Sequence, residues 1–281
     1  MDVRAVPYIS VRLVKHLFHT RFRLAALTRR SKLFNRVVIK TMFDKDDMIV
    51  VPKDNVARRV VEANIEIEDP GQTTVLPSDV VKDIISRSED IFIMNFCLCR
   101  RSSGCKDYPI DHGCVFLGEG TRRIPPEFGR KATAEEANRY IDECGELGFV
   151  HIIGRNKLDS IWLNTGKRDL MTICNCCPCC CLWNMVSNVS DEIGSSFRRM
   201  DGVTVTMDPE KCVGCGSCRD ICFCKAVNAV DGRFEIDQTM CRGCGRCVEQ
   251  CPAEAISITY TEGSVEREIE KIGSLVKLSP R

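Results

Sequence analysis

A chain of 281 residues exceeds the roughly 100 to 200 that one hydrophobic core commonly serves, so at least two units are expected. Its 40 Lys+Arg against 39 Asp+Glu leave a net charge of +1, which excludes a global pull toward nucleic acid. Twenty cysteines, behind a Met1-Asp2 start with no uninterrupted apolar stretch, disfavour a secreted disulfide scaffold and favour metal-ligating or reactive thiols.

Residues 1–43 form a basic segment. Between Val3 and Phe43 no acidic residue occurs, while Arg4, Arg12, Lys15, Arg21, Arg23, Arg29, Arg30, Lys32, Arg36 and Lys40 are basic. Leu13, Val14, Leu17, Phe18, Leu24 and Leu27 recur at roughly helical spacing, so an amphipathic helix is expected. It suits peripheral contact with an anionic membrane or docking onto an acidic redox partner; alternatively its apolar face packs on the protein's own core. Thr28-Arg29-Arg30-Ser31-Lys32-Leu33-Phe34 looks like a twin-arginine export signal, but Asn35, Arg36, Lys40, Asp44, Lys45, Asp46 and Asp47 interrupt the apolar tract that must follow. No run reaches the ~18 apolar residues of a membrane span. The expectation is a cytoplasmic protein, open to membrane association through this segment.

Residues 44–200 read as a cysteine-rich α/β domain. Ser78-Asp79 is placed to cap a helix through about Ser88, and Ile91–Phe96 reads as a strand. Cys97, Cys99, Cys105 and Cys114 follow it. Thr133-Ala134-Glu135-Glu136 is a capping box opening a helix that stops near 145–148, and residues 149–154 read as another strand. A third strand, 170–173, leads into Cys174, Cys176, Cys177, Cys179, Cys180 and Cys181. Strands alternating with helices suggest a parallel layer, in which functional residues gather past the carboxyl ends of the strands, so the two cysteine groups are expected to converge. Cys144 sits at core spacing with Ile141 and Leu147. Arg100 and Arg101 either lower thiol pKa values and offset cluster charge or are ordinary surface charges. His112 and His151 are more often satisfied polar groups than ligands.

Residues 201–262 hold a duplication. Cys212, Cys215, Cys218 and Cys222 reappear as Cys241, Cys244, Cys247 and Cys251, and Asp208, Gly214, Gly216, Ala226 and Val227 reappear as Asp237, Gly243, Gly245, Ala255 and Ile256. In the spacing C-x2-C-x2-C-x3-C, a tight loop presents three thiolates to one cubane and the fourth cysteine serves the other. Cys212, Cys215, Cys218 and Cys251 are therefore assigned to one cluster, and Cys241, Cys244, Cys247 and Cys222 to the second. Paired zinc sites rarely show this spacing. Residues 263–281 read as a terminal helix with Ser264 as a cap and Val265, Ile269, Ile272 and Val276 on one stripe.

The duplicated segment resembles the two-cluster bacterial ferredoxin domain, which implies two [4Fe-4S] clusters and electron transfer. It departs from that pattern where Cys222 is followed by Phe223 and Cys224 rather than by proline and alanine. Cys224 is expected to be a small buried thiol. The upstream half, with Cys97-Leu98-Cys99-Arg100 and Asn175-Cys176-Cys177, is similar to the N-terminal part of ferredoxin-fused iron-sulfur proteins of anaerobes. That similarity implies iron-sulfur binding and anaerobic metabolism without naming a reaction.

The expected fold class is α+β, a cysteine-rich α/β domain followed by a bacterial two-[4Fe-4S] ferredoxin-like domain. The ten upstream thiols suffice for one or two additional [4Fe-4S] clusters; a structural zinc site or redox-active thiols compete for them. The leading functional expectation is an electron-transfer subunit that relays single electrons to a partner reductase, rather than a stand-alone enzyme. Its alternatives are an iron-sulfur reductase acting on a small substrate at a cluster or reactive thiols, and a structural adaptor. No P-loop, dinucleotide fingerprint or hydrolase elbow occurs.

Overall fold

The computed structural model describes residues 12–13, 18–60, 75–166, 168–230, 232–261 and 263–276. Twelve described strands are numbered along the chain: β1 (Asp47–Val50), β2 (Ala57–Val60), β3 (Ile91–Met94), β4 (Val115–Leu117), β5 (Gly129–Lys131), β6 (Val150–Arg155), β7 (Met171–Cys176), β8 (Phe197–Arg199), β9 (Val203–Met207), β10 (Val227–Val230), β11 (Arg233–Ile236) and β12 (Ile256–Thr261). The α-helices are α1 (Arg21–Arg30), α2 (Lys32–Val38), α3 (Asp79–Ser86), α4 (Leu98–Ser103), α5 (Ala134–Glu146), α6 (Lys157–Trp162), α7 (Asp191–Gly194), α8 (Ser217–Ile221), α9 (Arg246–Glu249) and α10 (Ser264–Gly273). The result is a mixed α and β architecture, in line with the α+β expectation.

Seven strands make one sheet in the order β5-β3-β4-β7-β6-β1-β8. Only β1 and β8 pair in parallel; every other neighbouring pair is antiparallel, which corrects the expected parallel layer. The cause lies in the connections. Residues 95–114, between β3 and β4, turn the chain back through the six-residue α4 at the same end of the sheet instead of carrying it across, so β4 returns beside β3 in the opposite direction. The cysteine groups still converge. Because β4 runs antiparallel between β3 and β7, the ends of β3 and β7 and the start of β4 share one edge of the sheet, with the start of β6 and the end of β1 beside them.

Strand alternation sorts the side chains onto two faces. Ile49, Ile91, Ile93, Val115, Leu117, Ile153, Met171 and Ile173 join Val80, Val81, Ile84 and Ile85 of α3, Ala137 and Ile141 of α5, and Ile269 and Ile272 of α10 in the largest core. Met48, Val50, Val150, Ile152 and Cys176 face the other way, toward Trp183, Phe197 and Phe223. Each fully buried aliphatic side chain contributes about 1.5–3 kcal/mol relative to exposure.

A second sheet, β2-β12-β9, has β12 in the centre, parallel to β2 and antiparallel to β9. Residues 57–60 thereby supply an edge to the strands that flank the duplicated cysteines. β10 and β11 form a hairpin.

Several local expectations hold and others shift. The capping box of α5 is present: Glu136 N donates to Thr133 Oγ1 at 3.2 Å and Thr133 N donates to Glu136 Oε2 at 2.8 Å. Ser78 stands at the cap position of α3 in helical backbone and makes no side-chain capping bond; Asp79 instead accepts from Leu76 N at 2.7 Å, and the helix ends at Ser86. Gly263, with φ +71°, stands at the cap of α10, and Ser264 is its first, fully buried residue. The basic segment is not one amphipathic helix. Ser31 adopts extended backbone, ends α1 and caps α2 by accepting from Phe34 N. Phe18 is buried, whereas Leu13, Leu24 and Leu27 are exposed. Val14, Leu17, Arg4 and Lys15 lie outside the described residues.

Candidate metal centres

The duplicated cysteines occupy two separate places. Cys212, Cys215, Cys218 and Cys251 line one small pocket with Phe234, Ala253 and Ile256. Cys222 lies instead within electrostatic reach of Cys241, Cys244 and Cys247. Each loop therefore keeps company with the other repeat's fourth cysteine. Backbone amides point at the sulfurs in the same way in both halves: Ala226 N donates to Cys222 Sγ and Ala255 N to Cys251 Sγ, both at 3.3 Å. Gly216 and Gly245 take φ of +80° and +85° where α8 and α9 begin, a backbone that L side chains rarely adopt.

Burial pushes the Cys244 thiol up to about 11 and that of Cys247 upward as well, so neither is a free thiolate by itself. A bound metal supplies the missing positive charge and deprotonates such thiols outright. Cys222 goes the other way, to about 6, chiefly through a hydrogen bond from Cys224. Cys224 is buried as expected, yet its sulfur stands 3.7 Å from that of Cys222, so it belongs to the surroundings of the second centre.

Upstream, the pleat divides the thiols. Cys174 and Cys176 alternate with Ile173 and Asn175 along β7, so they point to the face opposite Cys177. On the first face Cys114 Sγ lies 4.0 Å from Cys174 Sγ, and Cys181 Sγ lies 3.0 Å from Cys176 Sγ. Cys97 and Cys99 are hydrogen-bonded to each other, with Cys114 and Cys181 near Cys99. These six form one run of thiols. On the other face, Cys105, Cys177, Cys179 and Cys180 gather with all four sulfurs within 4.8 Å of one another. Cys144 is fully buried beside this second group, and burial lifts its thiol to about 12, consistent with a core residue.

Arginines surround the thiols. Arg100 is completely buried; Nη1 donates to Asn175 O at 2.9 Å, Nη2 donates to His112 O, and its guanidinium lies 4.2 Å from the centre of the Phe149 ring. It also hydrogen-bonds Cys177 and faces Cys97 and Cys114, which resolves its role in favour of the thiols. Arg101 points outward over Phe96. Arg21, from the basic segment, stands near Cys99, Cys180 and Cys181. Arg246, set between Cys244 and Cys247, is buried and donates to the carbonyl of Cys176. A second joint is made by Lys53 N, which donates to Cys244 O at 3.3 Å.

The two histidines are positioned by polar partners. His112 offers its carbonyl to Arg100, and its ring stacks on Tyr140. His151 is buried with Nδ1 2.9 Å from Asn175 Oδ1. Since Asn175 Nδ2 donates to Gly113 O at 2.9 Å, Oδ1 is the acceptor and His151 carries its proton on Nδ1.

Residues 234–257 match the 4Fe-4S binding domain. The matched stretch includes Cys241, Cys244, Cys247 and Cys251 and calls for at least one [4Fe-4S] cluster. No curated protein and no solved structure matches the chain. The cavity of four cysteines and the amide-to-sulfur bonds fit such a group, and the domain together with the upstream thiol sites suggests iron-sulfur electron transfer.

Asn175, Arg21 and Arg246 escaped the sequence reading. Asn175 could have been found from its place between Cys174 and Cys176 on a strand, where a polar inward residue needs partners. Nothing in the sequence marks Arg21 or Arg246 out from other arginines.

Proposed function

We propose that this chain is an iron-sulfur electron-transfer protein. In this reading Cys212, Cys215, Cys218 and Cys251 hold one ferredoxin-type [4Fe-4S] cluster and Cys241, Cys244, Cys247 and Cys222 a second. A further cluster is held by thiols of the run Cys97, Cys99, Cys114, Cys174, Cys176 and Cys181. When bound, the clusters accept and release electrons singly, and a partner reductase takes them. The observation that carries the reading is the bond from Arg246, the first residue of α9, to the carbonyl of Cys176, which abuts the matched domain on the thiol strand. The chain's own residues tune the centres: amides of Ala226 and Ala255 stabilise thiolate charge, and Arg100 adds a buried positive charge.

The test is anaerobic iron analysis of Cys97→Ser and Cys176→Ser. Each should lose about four irons while the EPR signals of the reduced ferredoxin-type clusters persist. Unchanged iron in both variants would remove the upstream cluster.

The exposed Leu24, Leu27 and Leu33, interleaved with Arg23, Arg30 and Lys32, support peripheral contact with an anionic membrane or an acidic partner. Among the described residues no helix is long and apolar enough to cross a membrane. A second reading, reduction of a small substrate, is favoured by one cleft of about 830 Å³ whose walls include Tyr108, His151, Pro178, Ile221 and Arg246, next to both groups of thiols. Substrate-dependent reoxidation of the reduced protein would select it.

A further inference from the structure

The four thiols on the far face of β7 are packed differently from the rest. Cys105 Sγ is 3.6 Å from Cys179 Sγ, Cys179 Sγ is 3.7 Å from Cys177 Sγ, and no pair among these three and Cys180 exceeds 4.8 Å. Four sulfurs bound at ~2.3 Å to one tetrahedral ion stand about 3.8 Å apart. Thiolates on a cubane ligate four separate irons and stand farther apart, at roughly 6 Å. Among the described residues no other set of three or more cysteine, histidine or carboxylate ligand atoms is drawn together this closely.

The surroundings suit one ion. Cys180 N donates to Cys177 Sγ at 3.4 Å, and the backbone amides of Asp107 and Tyr108 face Cys105 Sγ, so the sulfurs have outer partners. Four thiolates around one divalent ion carry a net charge of −2. Arg100 hydrogen-bonds Cys177 and Arg21 faces Cys180, two cations against that charge. Cys179 is exposed, which leaves a path for the ion. The loop Cys177-Pro178-Cys179-Cys180 is joined through Cys105 to a segment 74 positions earlier in the chain.

We infer that Cys105, Cys177, Cys179 and Cys180 hold a single tetrahedral metal ion, zinc or a lone iron, and not an iron-sulfur cluster. The inference rests on the reading that the upstream thiols are metal ligands, and it divides them: six for a cluster, four for an ion. The ion would pin the 105–112 loop, with Tyr108 packed 5.6 Å from Phe149, to the end of β7 and so fix one wall of the cleft.

The test is zinc, iron and acid-labile sulfide analysis of the full chain purified without oxygen, beside Cys179→Ser and Cys176→Ser. Cys179→Ser, at an exposed position, should lose one ion per chain and no sulfide; Cys176→Ser should lose iron and sulfide together and keep that ion. X-ray absorption at the metal edge of the parent should show four sulfur neighbours. Equal loss of iron and sulfide from Cys179→Ser, no loss of any metal, or nitrogen and oxygen neighbours at the ion would overturn the inference. Failure of the upstream cluster alone shows separately, as Cys176→Ser retaining all its sulfide.

Discussion

Replacing Asn175 with alanine tests how the thiol edge is held together. The Asn175 amide donates to Gly113 O and accepts from His151, and its backbone carbonyl accepts from Arg100, so one side chain ties β7 to β6 and to the loop carrying Cys114. The residue is buried, and truncation leaves the His151 Nδ1–H without its partner, whereas Gly113 O keeps the Tyr140 hydroxyl, which donates to it at 3.1 Å. Each unsatisfied buried group costs about 1–3 kcal/mol. One such group puts the loss at roughly 1–3 kcal/mol. At about 2–4 °C per kcal/mol for a chain of this size class, the apparent Tm should fall by roughly 2–12 °C. Thermal melts of anaerobically purified parent and variant provide the measurement, with metal content determined on the same samples. Asn175→Asp keeps the acceptor for His151 but loses the donor to Gly113, and should fall between the two. A variant melting within 1 °C of the parent would refute the assignment of Asn175 as the tie.

Other consequences follow from particular contacts. Arg198 forms a bidentate pair at 3.1 Å with Glu268, whose side chain is fully buried, and also bonds Asp47 at 3.0 Å, joining β8 and β1 to α10. Arg198→Met leaves the buried Glu268 carboxylate with only the longer ion pair to Lys271 at 3.9 Å and should destabilise by about 3–5 kcal/mol, most of it recovered in Arg198→Met/Glu268→Met; a single variant as stable as the parent contradicts this. Gly113 has no room for a side chain, since a Cβ would meet Phe96 O at 2.4 Å and Met94 Cβ at 2.5 Å, so Gly113→Ala should displace Cys114 and lower the iron retained upstream while EPR of the ferredoxin-type clusters is unchanged. Burial lowers the pKa of His151, so the folded state resists protonation that the unfolded chain accepts below about 6.5. Stability from this group is present above that pH and is lost as pH falls toward the depressed value. The drop in Tm between pH 7.5 and 5.5 should shrink in His151→Gln, and an unchanged drop would exclude His151 as its source.

The parts of the site fixed by short-range geometry were legible in the sequence. The spacing of Cys212 to Cys222 and its repeat at Cys241 to Cys251 is set by loops that must wrap one metal group, and spacing is what a sequence displays. The capping box at Thr133 and Glu136 is local in the same sense. The partition of the upstream thiols was not legible, because it depends on where β7 ends. The strand was expected to stop at Ile173, but it continues through Cys176, and its pleat sends Cys176 and Cys177 to opposite faces. Strand direction was misjudged for a related reason: apolar runs bounded by helices look alike in parallel and antiparallel sheets, and only the path of residues 95–114 back to the same end of the sheet distinguishes them. The basic segment read as one helix because its apolar positions from Leu13 to Leu27 share one spacing, whereas Ser31, beyond them, ends α1 and caps α2 by accepting from Phe34 N.

The most direct measurement of the central claim is the count of iron and acid-labile sulfide per chain in anaerobically purified protein, with EPR of the dithionite-reduced sample. Three cubanes give about twelve sulfides with matching iron and signals of interacting reduced clusters, and this is the expected result. About eight of each would confine the clusters to residues 203–260 and contradict the extended relay, and iron without sulfide would contradict iron-sulfur electron transfer altogether.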